Sequence, residues 1–416
     1  MAMTQLDARQ ARTRYLILLA LRWLPSGMLL PVLTLLPLER GLTLSELGLA
    51  AAAQGLVVFL LELPTGGVSD ALGRRPVMVA SGLVSLAGCG LIFVADSFAV
   101  FALAFGVQGL YRALDSGPLE AWYVDTVQAR DPDTDISIGL SRGGTVTGIA
   151  VGAGALLAGG LVALDPLSSV EALAVPVLFA AVLRAVAVVA TMSLLVEVRP
   201  RSGWPAVTAA VREAPGVISG SLRVVRGSVV LQGLILIEVA WGFGATAYES
   251  LTPVRLAEVV DDAERAGAIM GPAAAAAWFA SAAGAALAPH LAQRIGVTAT
   301  AAVTRVAQGV FVAAMGLSLG AAGVVVAFIA CYVIQGASSP MHMTLVHREV
   351  TEEHRVTIVS ISSMVFQPAA ALGLIALTVV GESTSLATAM VLGGVILAAA
   401  TVFYLPAYRA ERRQAV

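Results

Sequence analysis

Residues 45–95 read SELGLAAAAQGLVVFLLELPTGGVSDALGRRPVMVASGLVSLAGCGLIFVA. The stretch contains two apolar runs, 45–66 and 75–95, and a short connection rich in glycine and arginine. A helix needs ~20 mostly apolar residues to cross a bilayer, and each run is long enough. The stretch therefore predicts two membrane-spanning helices joined by a tight basic turn.

The same alternation of apolar runs and short polar breaks continues along the whole chain. Of the 416 residues, 58% are hydrophobic and 12% are charged, whereas soluble domains contain ~25% charged residues. We therefore predict an all-α polytopic membrane protein with twelve transmembrane helices, called spans below. Spans 1 to 12 are predicted at 15–38, 45–66, 75–95, 97–124, 138–164, 172–196, 227–252, 267–288, 297–319, 321–346, 356–380 and 384–406.

Composition excludes several classes of function. The net charge of −2 argues against nucleic acid as a partner, and all 25 basic residues are arginine, so lysine-based covalent catalysis is excluded. Cys89 and Cys331 lie in apolar runs, which argues against a disulfide scaffold or a thiolate metal cluster. His342 and His347 are five positions apart and point in different directions on a helix. We therefore expect no metal site, no cofactor and no enzymatic activity.

The arginines also predict the orientation of the chain. With both termini on the inner side, the inner segments hold 18 arginines, whereas the outer loops hold three, Arg40, Arg255 and Arg265. Cytoplasmic loops of membrane proteins are enriched in basic residues. We therefore expect a multi-pass protein with cytoplasmic N- and C-termini. The absence of lysine and the richness in alanine, arginine, glycine and valine indicate a bacterial inner (plasma) membrane.

The longest inner segment, 197–226, separates six spans from six spans. Its residues 204–225 carry an amphipathic pattern that is typical of a helix lying on the membrane surface. We predict an N-terminal six-helix bundle at 1–196, a cytoplasmic linker at 197–226 and a C-terminal six-helix bundle at 227–416. The equal halves indicate an internal repeat.

The connection between spans 2 and 3 carries a motif. Residues 66–75, GGVSDALGRR, resemble the G-x-L-A-D-R-x-G-R-R signature of the major facilitator superfamily, with Ala71 in place of the first basic residue. Residues 291–296, LAQRIG, between spans 8 and 9, resemble a weaker copy in which Gln293 replaces the acidic residue. The key positions that match the signature are Gly66, Asp70, Gly73, Arg74 and Arg75.

This resemblance implies a fold and a mechanism. Two pseudo-symmetric six-helix bundles would enclose a central cavity lined by spans 1, 4, 7 and 10. The bundles would rock against each other and expose the cavity alternately on the two sides of the membrane. The motif would act as a gate between the bundles, and Asp125, at the inner end of span 4, is the expected partner of Arg74.

Ionisable residues inside the spans mark the expected cavity, because a charge in the hydrocarbon region costs at least ~2.5–3.5 kcal/mol and needs polar surroundings. Span 4 places Arg112 and Asp115 on one face with two further polar residues, and a buried Arg112–Asp115 ion pair is the structural alternative to a cavity role. Span 7 places Glu238 near mid-depth beside an aromatic face. The predicted substrate and proton cavity comprises Arg22, Gln108, Tyr111, Arg112, Asp115, Glu238, Trp241, Gln335 and His342.

Three other charged residues are interpreted differently. Glu249 is expected at the outer mouth of span 7, where it needs no special role. Arg184 and Arg305 occupy spans 6 and 9, which the resemblance places at the periphery of the fold. Inward-facing pairs with Glu62 or Glu120 are one interpretation of both residues, and a purely structural role is the alternative.

These features favour proton-coupled efflux of small organic molecules, including drugs, with Glu238, Asp115 and Glu62 as candidate proton carriers. Efflux follows from the resemblance to drug-efflux members of the superfamily. Arg22, in span 1, leaves open proton symport or export of an anionic metabolite. A lipid transporter and a non-transporting receptor are further alternatives. The expected partners are a small-molecule substrate, protons and the lipid bilayer, and we expect a monomer.

Overall fold

The computed structural model describes residues 6–129, 134–196, 203–350 and 352–414. Within these residues the chain forms seventeen α-helices and no strand. Two short 3-10 helices, Ala172–Ala174 and Ala400–Tyr404, precede α8 and α17. The α-helices are α1 (Ala8–Leu29), α2 (Leu35–Glu39), α3 (Leu44–Leu72), α4 (Arg74–Val94), α5 (Phe98–Asp115), α6 (Pro118–Gln128), α7 (Ser137–Leu164), α8 (Val175–Leu194), α9 (Trp204–Gly227), α10 (Val229–Glu249), α11 (Leu251–Val260), α12 (Ala263–Ile295), α13 (Val297–Leu317), α14 (Ala321–Arg348), α15 (Glu352–Ser383), α16 (Leu386–Ala399) and α17 (Leu405–Gln414).

The helices follow the predicted spans. In the described residues, eleven helical segments are long and apolar enough to cross a membrane. Span 1, which contains most of α1, is not among these eleven, because every 18-residue stretch of α1 contains at least three arginines. This helix packs against α7 and α8 inside the first half. The twelve-helix prediction is confirmed, although α1 begins before residue 15 and α2 forms a separate short helix.

Two glycine turns occupy corresponding connections in the two halves. Gly73, with φ 96°, separates α3 from α4, and Gly296, with φ 88°, separates α12 from α13. Glycine adopts a positive φ readily because it has no Cβ atom. The loop predicted at 66–75 is therefore a single-residue break, since α3 continues to Leu72 and α4 begins at Arg74. The shared turn supports the internal repeat inferred from the sequence.

The helices of each half pack mainly against one another, and two helix pairs make most of the contact between the halves. These pairs are α3 with α15 and α7 with α12. The end of the molecule with the Gly73 turn and α9 is called the linker face, and the opposite end, where α7 ends and α12 begins, is called the far end. The helix predicted at 204–225 is confirmed as α9, and the Gly203 amide before it donates to the Ala71 carbonyl at 3.0 Å.

The two halves touch closely at the far end. Gly159 of α7 and Gly271 of α12 cross so tightly that a Cβ atom on Gly159 would lie 2.9 Å from the Gly271 Cα. Nearby, the Ser45 amide of α3 donates to Oε2 of Glu382 on α15 at 2.6 Å. Toward the linker face, α7 and α12 diverge, and residues of both helices line a cavity. The structure is thus closed at the far end, with a cavity toward the linker face.

A methyl group at the α7–α12 crossing should push the far ends apart. Gly159→Ala would place a Cβ atom 2.8 Å from the Ala268 carbonyl oxygen, and overpacking of this kind costs about 1–3 kcal/mol. We expect the spin-label distance between Asp165→Cys and Asp262→Cys, at the far ends of α7 and α12, to lengthen. The matched control is Gly160→Ala, where a Cβ atom meets no atom within 4 Å. An unchanged distance in Gly159→Ala would contradict a tight crossing.

Candidate substrate cavity

A cavity of about 340 Å³ lies in the first half, between α1, α3, α5 and α8. Helical periodicity brings its α5 residues together, because Gln108, Tyr111 and Asp115 repeat at intervals of three and four residues and are all buried. The five side chains predicted in this half all line this cavity: Arg22, Gln108, Tyr111, Arg112 and Asp115.

The charge of Asp115 is matched by α1 rather than by its own helix. Arg22 Nε forms an ion pair with Asp115 Oδ2, and Arg22 Nη2 donates to the Asp115 main-chain carbonyl at 2.7 Å. This carbonyl ends α5 and has no partner within the helix. The forked guanidinium reaches both acceptors at once. The alternative Arg112–Asp115 pair is therefore wrong, and Arg112 is instead exposed in the cavity wall.

Arg184 also belongs to this wall, although span 6 was expected at the periphery. Its guanidinium donates to the Tyr111 hydroxyl at 2.7 Å and to Ser26 Oγ at 2.6 Å, and it lies 4.6 Å from the centre of the Tyr111 ring. The expected pairing with Glu62 or Glu120 is wrong, because the Arg184 guanidinium contacts neutral oxygens and an aromatic ring rather than a carboxylate. The sequence signal that was missed is helical periodicity, since Ala180, Arg184 and Val188 are four residues apart and share the buried face of α8.

A second cavity, of about 590 Å³, lies between α7 of the first half and α10, α12 and α14 of the second. It contains Trp241 and Gln335, as predicted, and much of its wall is aromatic. The aromatic side chains in its wall are Trp241, Tyr248, Trp278 and Tyr332. Trp278 was missed, and the signal was the Trp278–Phe279 pair in the otherwise alanine-rich α12.

Glu249 lines this second cavity, whereas the sequence placed it at the outer mouth. The reason is that the span does not end at residue 252: α11 continues it to Val260, so Glu249 lies well below the far end. Arg255, expected in an outer loop, lies within α11 and donates to the Ser318 carbonyl at 2.9 Å. Glu249 therefore faces the second cavity rather than the outer surface.

Glu238 and His342 lie together behind the cavity wall. The His342 Nε2 atom is 2.9 Å from Glu238 Oε1, and His342 Nδ1 is 2.9 Å from the Tyr404 hydroxyl. Glu238 is 6% exposed and His342 is 2% exposed. Neither side chain lines the cavities described above. The two predicted residues thus form a buried polar pair in the second half.

A chain of polar contacts connects this region with the cavity wall. Arg305 Nη1 donates to Gln308 Oε1 at 2.6 Å, and Gln308 Nε2 donates to Gln335 Oε1 at 2.7 Å. The Arg305 guanidinium also lies 5.4 Å from the centre of the Trp241 ring, and Tyr404 is close to both Arg305 and Glu238. The peripheral placement of Arg305 and its pairing with Glu62 or Glu120 are therefore wrong, because it faces the core.

The motif residues lie at the linker face. Arg74 Nη2 is 2.7 Å from Asp125 Oδ2, so the expected pairing between α4 and α6 is present. Arg75 is exposed and donates to the Met192 carbonyl of α8. Gly73 forms the turn described above and Gly66 lies within α3, whereas the Asp70 side chain lies outside the described part of the structure. The gating role of this motif stays a prediction.

Two helical halves, closed at one end around a polar chamber, form the architecture of a membrane transporter. The sequence matches the Major Facilitator Superfamily over residues 15–374, and the chain belongs to this superfamily of transporters. It is a multi-pass membrane protein that carries small molecules across the bilayer. Among the described residues, no group of three or more His, Cys, Asp or Glu side chains could hold a metal ion.

Solved structures share this fold at low sequence identity. A point mutant of the nucleoside transporter NupG superimposes with a TM-score of 0.78 and 14% identity, covering 95% of this chain and 99% of that chain. The human organic anion transporter MFSD10 (TETRAN) gives a TM-score of 0.62 and 19% identity over 95% and 99%. A bacterial homolog of the human lysosomal transporter Spinster, inward-facing and occupied, gives 0.72 and 15% over 96% of both chains. No curated protein sequence matches this chain.

Neutralising Asp115 should destabilise the first half. Asp115→Asn removes the nearer of the two carboxylates that pair with Arg22 and leaves only Glu120, 3.7 Å from Arg22 Nη1. Removal of one partner from a buried ion pair costs roughly 3–5 kcal/mol. We expect a lower unfolding temperature of the purified protein in detergent. The double variant Arg22→Gln/Asp115→Asn, which removes both charges, should recover part of the loss. Asp96→Asn, at an exposed position, is the matched control, and equal unfolding temperatures for Asp115→Asn and this control would refute the assignment.

Proposed function

We propose that the protein exports small organic molecules in exchange for protons, by alternating access, across the plasma membrane of a bacterial cell. The observation that carries this proposal is the buried Glu238–His342 pair. Polar contacts through Tyr404, Arg305 and Gln308 connect this pair to the cavity wall. Such a pair can hold a proton inside the membrane without contact with bulk water. The cavity beside it is large enough for a small organic molecule.

The arginine distribution supports the orientation of this proposal. The positive-inside rule assigns the linker face to the cytoplasm, because its segments hold 18 of the 25 arginines. The termini would then be cytoplasmic, and the cavity would be accessible from inside the cell. An exporter in this conformation is ready to load its substrate.

The charge of the buried cluster depends on one proton. With Glu238 ionised and His342 neutral, the pair carries one negative charge, which balances the nearby Arg305. One added proton neutralises the pair and leaves Arg305 unbalanced. An uncompensated charge in a low-dielectric interior is strongly unfavourable, so the cluster should prefer a different conformation in each protonation state.

The contacts between this cluster and the cavity would transmit the change. Arg305 stacks on Trp241 and reaches Gln335 through Gln308, and both Trp241 and Gln335 line the cavity. A shift of Arg305 on proton binding would therefore alter the substrate site. Proton binding would therefore weaken substrate binding by changing the shape of the cavity wall, and the two would not compete for one atom. Asp115 and Glu62 stay as additional proton candidates.

Proton symport of an anionic compound is the second candidate. The observation in its favour is the first-half wall, where Arg22, Arg112 and Arg184 outnumber the single carboxylate of Asp115. The two functions differ in the sign of the proton movement. In proteoliposomes with an internal pH dye, substrate added outside should draw protons out in antiport and carry them inward in symport.

Glu238→Gln should remove the pH dependence of the conformational equilibrium. In the otherwise unaltered protein, we expect the far-end distance between spin labels at Asp165→Cys and Asp262→Cys to differ between acidic and alkaline buffer, because proton binding changes the charge of the cluster. Glutamine imitates the protonated carboxyl group, so the variant should show the low-pH distribution throughout. The native cysteines, Cys89 and Cys331, are buried and should not take up label.

Glu264→Gln, at an exposed far-end position, is the matched control for this measurement. It should keep the pH response of the parent protein. If Glu238→Gln follows the same pH curve as the parent, the proton does not act through this pair, and the proposed coupling site is wrong.

A further inference from the structure

The cavities of the two halves adjoin through a third cavity, and the three together are called the chamber. A third cavity, of about 150 Å³, shares Leu30 with the first-half cavity. It shares Glu249, Trp278 and Tyr332 with the second cavity. A molecule in this chamber would therefore touch both halves at once. This is the position in which a substrate can influence their relative arrangement.

The chamber contains two charges of opposite sign without an ion-pair partner. Within the described chain, Arg112 on the first-half wall and Glu249 on the second-half wall form no ion pair, and both are exposed to the chamber. Arg112 is close enough to attract Glu249 electrostatically. The other charges in the wall each have contacts within the protein, because Arg22 pairs with Asp115 and Arg184 donates to Tyr111 and Ser26.

One further donor points to a negatively charged ligand on the first-half wall. The Nε atom of Arg184 is buried and has no hydrogen-bond partner, and the whole side chain is 4% exposed. A buried guanidinium N–H without an acceptor is unfavourable. An anionic group held by Arg112 would add negative charge beside this cation and reduce that cost.

An aromatic surface on the second half lies beside Glu249 in the chamber wall. Tyr332 packs edge-on to Tyr248, with ring centres 5.7 Å apart, and its ring centre is 6.4 Å from that of Trp278. Trp241 Nε1 lies 3.4 Å from the Tyr248 hydroxyl. These contacts hold the rings in place, and fixed aromatic rings bind a planar ring by stacking or edge contacts.

We propose that the chamber binds an aromatic zwitterion, with its anionic group at Arg112, its cationic group at Glu249 and its ring against Trp278 and Tyr332. This inference rests on the proposed transport function, because it names the substrate class of the same cavity. An aromatic anion would leave Glu249 without a cationic partner, and an aromatic cation would leave Arg112 without an anionic partner. Only a ligand with both charges satisfies both walls when water is excluded.

The test measures binding by calorimetry with four probes of similar size. The zwitterion is 4-(aminomethyl)benzoate, and the single-charge probes are benzoate and benzylamine. The fourth probe, trans-4-(aminomethyl)cyclohexanecarboxylate, keeps both charges but lacks the aromatic ring. The full-length protein in detergent should bind the aromatic zwitterion about tenfold or more tightly than each of the other three, since one charge-assisted contact corresponds to at least about one order of magnitude in affinity.

Two charge variants identify the ends of the ligand. In Arg112→Gln, benzylamine should bind as well as the zwitterion, because the carboxylate no longer gains a contact. In Glu249→Gln, benzoate should bind as well as the zwitterion, for the corresponding reason. The matched controls, Arg265→Gln and Glu264→Gln, lie at exposed positions outside the chamber and should keep the parent preference.

The inference is overturned if the aromatic zwitterion binds no better than the single-charge probes, or if none of the four probes binds up to its solubility limit. It is also overturned if both charge variants keep the parent preference. The binding assay needs no proton gradient. A zwitterion preference without any effect of Glu238→Gln would therefore refute the proposed coupling and leave this inference standing, whereas the opposite result would refute only this inference.

Discussion

The need to accommodate charges inside a membrane organises the interior of this transporter. Each buried ionisable side chain requires a partner, since an isolated charge in a low-dielectric interior is strongly unfavourable. In the first half, α1 and α5 are tied together by Arg22 and Asp115. In the second half, Glu238 and His342 join α10 to α14, and Tyr404 extends the contact toward α17. The same interactions that hold each half together therefore place polar groups beside the central chamber.

The contact between the halves follows a different principle. At the far end, small residues allow backbone atoms of α7 and α12 to approach closely, and little side-chain volume stands between them. Nearer the linker face, the same helices separate, and aromatic and polar side chains occupy the space. An interface built of glycine and alanine can close without specific polar bonds. Such an interface suits the opening and closing that the proposed alternating-access mechanism requires.

The first-half site was more predictable than the second. Arg22, Gln108, Tyr111, Arg112 and Asp115 all line one cavity, because helical periodicity within α5 already places four of them on one side. Glu249 was misplaced because the sequence does not reveal that α11 continues the span after a break at Ser250. Arg184 and Arg305 were misassigned since a span's position in the fold does not tell which way one of its side chains points.

The sequence by itself determined the class of the molecule. Apolar runs of bilayer length and the motif at 66–75 are local properties of the chain, and membrane thickness relates the apolar runs directly to spans. The arginine asymmetry is local as well, and it predicts the orientation. Only the tertiary structure decided the partners: Arg22 rather than Arg112 for Asp115, and His342 for Glu238. Ion pairs between helices depend on the rotation and depth of each helix in the bundle. Those quantities are set by packing among many helices, and no single span encodes them.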